Sequence, residues 1–262
     1  GGALGILLAL YLFAKKFNYP YLWILDRIVI VVALTGALIR TGNFMNSEME
    51  GTPTNANYGV VYAGFTREYI LTDADVESVS FVRNEQVSAE PGKAPLAAVI
   101  EYKPGVTFDF AKQQVVEGRL RQGLNGYEEI TQHIDFGGGP LNYRTYVKDG
   151  LTYVEVYGIG TVRHAAQFYE AAYCILLMII LFWLWHKKRQ TLPSGFNIAL
   201  FLIILWSARF VDEFFKMNQV GFEDNMALNM GQWLSIPLTL AGVALMVWIY
   251  RRRDSPRMGQ EA

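Results

Sequence analysis

The chain has 262 residues, 52% of them hydrophobic and 14% aromatic, and its 18% charged content falls below the roughly 25% of soluble proteins. That balance excludes a disordered chain, and Cys174 as the sole cysteine excludes a disulfide scaffold. The net charge of −1 hides a split, because residues 47–160 hold 16 acidic and 9 basic side chains while the remainder holds 8 and 14; with a mean hydropathy of only +0.18, a sizeable part must face water.

In chain order, the first apolar run covers residues 1–14. It is too short to span a bilayer and begins without Met inside an apolar pattern, so further chain is expected ahead of it. A signal peptide would open instead with a cationic region. The second run, 28–39, reaches the length needed for about 30 Å of hydrocarbon only when it starts near Tyr21, carrying Asp26 and Arg27 in its first turns. Residues 47–160 contain no spanning run and read as an aqueous α+β domain. Strands are expected at 58–66, 76–82, 96–102, 141–147 and 152–157, a short helix at 110–120, and a two-residue hairpin turn at Asp149-Gly150. Three more apolar runs follow, at 171–185, 196–211 and 234–250.

Cations close these runs: Lys15-Lys16, His186-Lys187-Lys188-Arg189 and Arg251-Arg252-Arg253. If every run crosses, the three clusters share one face, which the positive-inside rule makes cytoplasmic. Residues 47–160 and the 212–231 loop then face the opposite compartment. The expected architecture is a polytopic α-helical membrane protein of about five spans with an inserted extracytoplasmic α+β domain. Its expected parts are helices and the start of a polar motif at 1–46, the aqueous segment at 47–160, three helices at 161–253 and a cytoplasmic tail at 254–262.

Three polar clusters stand out. Arg40-Thr-Gly42-Asn43-Phe44-Met-Asn46-Ser-Glu48-Met-Glu50-Gly51 follows the second run. An arginine at membrane depth costs about 2.5–3.5 kcal/mol, so it calls for a partner or a purpose; simple snorkelling to head groups is the alternative. In Arg163-His164-Ala-Ala-Gln167-Phe-Tyr169-Glu170, a helix would place His164, Gln167 and Glu170 on one face. An interfacial cap and a proton-carrying His164 are both open there. In Ser207-Ala-Arg209-Phe-Val-Asp212-Glu213-Phe-Phe-Lys216, Arg209 and Glu213 can pair at i, i+4, which alone would be a structural ion pair. The expected topology puts all three clusters at one membrane surface. Two planar guanidinium forks there suit the phosphate oxygens of an anionic phospholipid. His133 and His186 are too distant from His164 for a metal-ligand spacing, and no local motif activates Cys174.

These residues resemble the prolipoprotein diacylglyceryl transferase family. The resemblance rests on four blocks in order: Arg40-x-Gly42-Asn43-Phe44-x-Asn46-x-Glu48-x-x-Gly51, Arg163-His164-x-x-Gln167-x-Tyr169-Glu170, Arg209-x-x-x-Glu213-Phe214-Phe215 and Met230-Gly231-Gln232-x-Leu234-Ser235-Ile236-Pro237. It covers residues 1–51 and 161–253. The chain departs from the pattern at Ile39, where the family has Gly, and at Ala165-Ala166, where it has Pro-Ser. Residues 66–160 are longer than the family's corresponding region.

The resemblance implies transfer of a diacylglyceryl group from phosphatidylglycerol to the lipobox cysteine of a prolipoprotein, in the bacterial inner membrane and on its extracytoplasmic side. Arg40 and Arg209 would then be catalytic. Asn43, Asn46, Glu48, Gly51, Arg163, His164, Gln167, Tyr169 and Glu213 would bind or position substrate. Neither a metal nor an organic cofactor is expected, since the phospholipid brings its own leaving group. The family also has a functional His just ahead of Gly1 and upstream helices with a substrate-contacting Tyr, which this chain as given does not include. A non-catalytic membrane receptor, binding a partner through its outside domain, is the alternative class.

Overall fold

A computed structural model describes residues 2–56, 58–85, 87, 90–116, 118–188, 191–217, 223 and 226–254. In chain order the elements are α1 (Gly2–Lys16), α2 (Tyr21–Met45), α3 (Gly64–Leu71), β1 (Val76–Arg83), β2 (Lys93–Tyr102), α4 (Phe108–Val116), α5 (Arg119–Gly126), α6 (Glu128–Thr131), β3 (Ile134–Asp135), β4 (Asn142–Lys148), β5 (Leu151–Thr161), α7 (Ala166–Lys188), α8 (Phe196–Asp212) and α9 (Met230–Asp254), with a 3-10 turn at Glu213–Phe215. They form two compact units, one made of the helices up to Phe44 and from Ala166 onward, the other of Met45–Ala165.

All five apolar runs are helical. Among the described residues, three stretches are long and apolar enough to cross a membrane: Tyr21–Met45, Ala166–Lys188 and Met230–Arg252. Their outward sides carry exposed Val31, Leu38, Ile175, Ile179, Leu240 and Val247, which water would disfavour and hydrocarbon accepts. Lipid gives no hydrophobic drive for helices to associate, so close packing of small residues does the work. On α2, Ala33, Gly36 and Ala37 meet α7 at Ala171, Cys174 and Leu177, and a Cβ on Gly36 would lie 3.3 Å from the Cys174 sulfur. On α9, Gly242 lets the backbone of α8 approach at Leu202 and Ile203.

The second unit is an antiparallel sheet in the order β1-β2-β5, with β3 and β4 sharing the far side of β5. The strand alternation predicts the buried face. Ala98 pairs with Val156 and Ile100 with Val154, and this face packs on Ile70, Val115, Leu124 and Ile130 of the short helices. The opposite face carries Glu101, Tyr153, Glu155 and Tyr157. Asp149 and Gly150 both adopt positive φ (54° and 80°), the geometry of a two-residue hairpin turn matched to strand twist.

Three expectations needed correction. Residues 58–66 are not a strand: Val60 makes one isolated bridge to Arg163, and the chain then turns into α3, whose buried Thr66 and Ile70 are four apart. The expected helix at 110–120 is two helices, because Gly118 is extended and caps α5; a Cβ there would collide with the Gln114 backbone. His164 does not share a helical face with Gln167 and Glu170, since α7 starts only at Ala166. Its backbone is committed instead, the N–H donating to Thr52 O at 3.0 Å and the carbonyl accepting from the Tyr62 hydroxyl at 3.2 Å.

Candidate functional site

One end of the helical unit gathers charge around Glu170. The Arg40 Nε atom at the end of α2 lies 2.9 Å from Glu170 Oε1 at the start of α7. Arg209 Nη1 on α8 donates to the same oxygen at 3.2 Å, and Lys216 Nζ donates to the other carboxylate oxygen at 2.7 Å. The three cations are answered by three carboxylates, because Lys216 also meets Asp212 at 3.1 Å and Glu213 at 3.4 Å, and Arg209 Nη2 lies 3.6 Å from Glu213. The Glu170 and Lys216 side chains are only 6% and 3% exposed, so their pairing in a poorly solvated place resists separation. Arg209, at 25%, is the most open of the cations.

Local sequence explains the convergence. Asn43, one turn beyond Arg40, accepts from Arg40 Nη1 at 3.0 Å and donates to the Ile39 carbonyl at 3.2 Å, fixing the guanidinium from behind. At the start of α9, Asn229 and Gln232 exchange backbone N–H bonds at 2.8 and 3.1 Å, a reciprocal cap of the helix N-terminus. The Asn229 side-chain amide is thereby aimed at Glu213, to which it donates at 3.2 Å. A Cβ on Gly231 would overlap the Glu213 carboxylate, so the glycine leaves that side chain its present place. Tyr169 rests edge-on against Phe215 at 6.1 Å, and Gln167 is fully buried in the first turn of α7.

The remaining signature residues lie in the aqueous unit. Asn46 and Glu48 are exposed in the turn after α2, where Ser47 and Met49 both hold positive φ (53° and 57°). Left-handed non-glycine residues cost free energy and concentrate at functional loops. Gly51 is buried against the His164 carbonyl with no room for a Cβ. Arg163, 4% exposed, donates to Gly51 O at 3.4 Å and Gln132 O at 3.1 Å, and its backbone pairs with Val60. It holds the signature loop in place.

Beside it, the Glu50 carboxylate lies 3.2 Å from Nε2 of His133, which packs between Tyr62 and Phe65. Burial raises the Glu50 carboxyl from its ordinary value to about 7, with the charge of Arg163 opposing. Burial lowers His133 to about 4, and Arg163 lowers it further. Between those values both groups are neutral, and the carboxyl and the imidazole face each other across one short polar contact.

The structure thus brings Arg40, Asn43, Arg209 and Glu213 together in the helical unit, and Gly51, Arg163 and His164 together in the other. Sequence reasoning gave no role to Glu170, Lys216, Glu50 or His133. Lys216 was signalled by its i, i+3 and i, i+4 spacing from Glu213 and Asp212, and Glu170 by its place in the second cluster; nothing local marks His133. Among the described residues no group of three His, Cys, Asp or Glu side chains is arranged to hold a metal ion.

Comparison with known proteins agrees on the family and carries the match through residues 52–160 as well. A family model described as prolipoprotein diacylglyceryl transferase matches residues 1–248. A protein of Tolumonas auensis named phosphatidylglycerol-prolipoprotein diacylglyceryl transferase is 27% identical over 94% of this chain and 60% of its own length. One of the same name from Bacteroides fragilis is 24% identical over 97% and 58%. A shorter match, 47% over 35% of the chain and 30% of the relative, comes from Burkholderia lata. The chain therefore spans about 60% of the length of the curated relatives it matches.

Proposed function

Because the chain belongs to the prolipoprotein diacylglyceryl transferase family, we propose that it transfers the diacylglyceryl group of phosphatidylglycerol to the lipobox cysteine of a prolipoprotein, with the helical unit recognising the phosphate. The cysteine thiol gives up its proton, and its sulfur attacks the diacylglycerol carbon that bears the phosphate ester. A C–S bond forms, the C–O bond breaks, and the electron pair leaves on glycerol phosphate. Negative charge on the departing phosphate grows in the transition state, so fixed cations lower the barrier.

One observation carries this reading: Arg40 and Arg209, far apart in sequence, converge on a single oxygen of Glu170. A carboxylate oxygen is there the counterpart of a phosphate oxygen. Glu170 and Glu213 set the angle of each guanidinium, and Lys216 keeps the cluster neutral overall. Asn43, Gln167 and Tyr169 are assigned to glycerol and ester oxygens at this end. Asn46 and Glu48, in the turn held by Gly51, Arg163 and His164, are assigned to head-group contacts. All five apolar helices are taken to cross the inner membrane, with the Glu170 cluster on its extracytoplasmic side. The cation clusters at 15–16, 187–188 and 251–252 support that orientation.

The test is diacylglyceryl transfer to a lipobox peptide in phosphatidylglycerol membranes, read as released glycerol phosphate, with the chain in its full-length context. Arg40→Ala and Arg209→Ala should each lower transfer by about 10²-fold or more, the usual loss when a preorganised transition-state donor is removed. Full activity in both would overturn the assignment.

A further inference from the structure

The end of the helical unit remote from Glu170 holds a cavity that the proposed reaction does not use. It encloses about 450 Å3 between Tyr21 and Leu22 at the start of α2, Ser194 in the turn before α8, and Trp248, Ile249 and Arg252 in the last turns of α9. Tyr21 and Arg40 are 19 residues apart on one helix, roughly 28 Å at 1.5 Å per residue. Both α2 and α9 are long enough to cross a bilayer, so the first turn of one and the last turn of the other fall at the hydrocarbon–water boundary.

The walls are preformed. Asp26 accepts from the backbone N–H groups of Gly195 and Ile198 at 2.6 and 3.0 Å, which ties the turn before α8 to α2. That carboxylate faces backbone donors and is not among the residues that line the cavity. Gly195 holds φ +99°, and a Cβ on it would press on Leu22 and Ile249 at 3.1 and 3.0 Å. Arg252 is exposed, with its guanidinium 5.2 Å from the Trp248 ring. The helix ends on this side carry Lys15, Lys16, Arg27, Lys187, Lys188, Arg251 and Arg252 against Asp26 and Asp254, a strongly positive rim.

We propose that this cavity is a binding site for the head group of an anionic phospholipid, separate from the Glu170 cluster. Arg252 meets the lipid phosphate, the Ser194 hydroxyl donates to it, and the Tyr21, Leu22 and Trp248 walls cover the glycerol and first acyl carbons. A basic pocket between membrane helices, with aromatic walls at head-group depth, is the chemistry that holds such lipids. A soluble anion would leave the apolar walls uncovered.

The test places the protein in phosphatidylcholine vesicles containing phosphatidic acid with a diazirine on its first acyl carbons, and maps the cross-linked peptides after irradiation. Label is expected on the peptides holding Tyr21–Leu22 and Trp248–Arg252. Arg252→Gln should reduce it about fivefold, as removal of one interfacial cation does, and Arg252→Lys should restore it. Excess inorganic phosphate should leave it unchanged. Circular dichroism confirms that both variants remain folded, and Trp248→Ala gives an independent loss at the apolar wall. The proposal is overturned by equal labelling from a phosphatidylcholine probe, by no effect of Arg252→Gln, or by displacement with phosphate.

Discussion

The helical unit and the aqueous unit meet the same difficulty, ionisable groups withdrawn from water, and resolve it in opposite ways. Around Glu170, six side chains from three segments are arranged so that each faces one of opposite sign. At Glu50 and His133 burial favours the neutral form of both groups, and the Arg163 guanidinium nearby is hydrogen-bonded to backbone carbonyls. A charged network can present spare guanidinium donors to a substrate anion. A neutral pair cannot, but it holds a loop without requiring a counter-ion.

Removing the hub should break this contrast most severely. Glu170→Ala leaves Arg40, Arg209 and Lys216 facing one another, and should cost about 3–5 kcal/mol of stability, as breaking a buried ion pair from one side does. Thermal unfolding in detergent measures it, and transfer should be lost as well. Next, Arg40→Lys and Arg209→Lys keep the charge but lose the fork, so transfer should fall by about 10²-fold with little change in the unfolding temperature.

The aqueous pair gives a subtler signature. Glu50 binds its proton more tightly folded than unfolded, so its contribution is full below pH about 4.5 and is lost as pH rises through about 7. His133 binds its proton less tightly folded, so its contribution is present above pH about 6.5 and is lost as pH falls toward about 4. In the intact protein the two slopes nearly cancel from pH 5 to 7. Glu50→Gln should therefore gain about 2 kcal/mol of stability across that range as pH rises, and His133→Asn should lose about as much. Unfolding midpoints at several pH values read both; parallel slopes in the two variants would contradict the opposed shifts. The smallest effect is expected far from either group. Gly150→Ala meets open space but must hold φ near 80°, a cost of about 1 kcal/mol that transfer activity should not register.

What the chain declares about itself depends on how local the physics is. Helices α2, α7, α8 and α9 were legible because each is written as an apolar run, and β1, β4 and the Asp149-Gly150 hairpin because alternation and turn chemistry are short-range. Arg40, Arg209 and Glu213 were legible as charges beside apolar runs. The partner of the two arginines was harder to see, because it needs α2, α7 and α8 to be gathered first. Arg163 shows the same limit from the other side: its charge suggests a head-group contact, whereas its guanidinium is spent on the carbonyls of Gly51 and Gln132. His133 reaches Glu50 across 83 residues and through the packing of Tyr62 and Phe65, and no spacing rule covers that distance.

The position of Glu170 also has a consequence in time. Arg40 leaves the ribosome 130 residues before its counter-ion, and Lys216 follows 46 residues after that. At about 5–20 residues per second, Arg40 waits roughly 6–26 s for neutralisation. During that interval α2 holds an unmatched cation at its end while the entire aqueous unit is still being made. The first of the two arginines to be synthesised is thus the one that spends longest without its carboxylate.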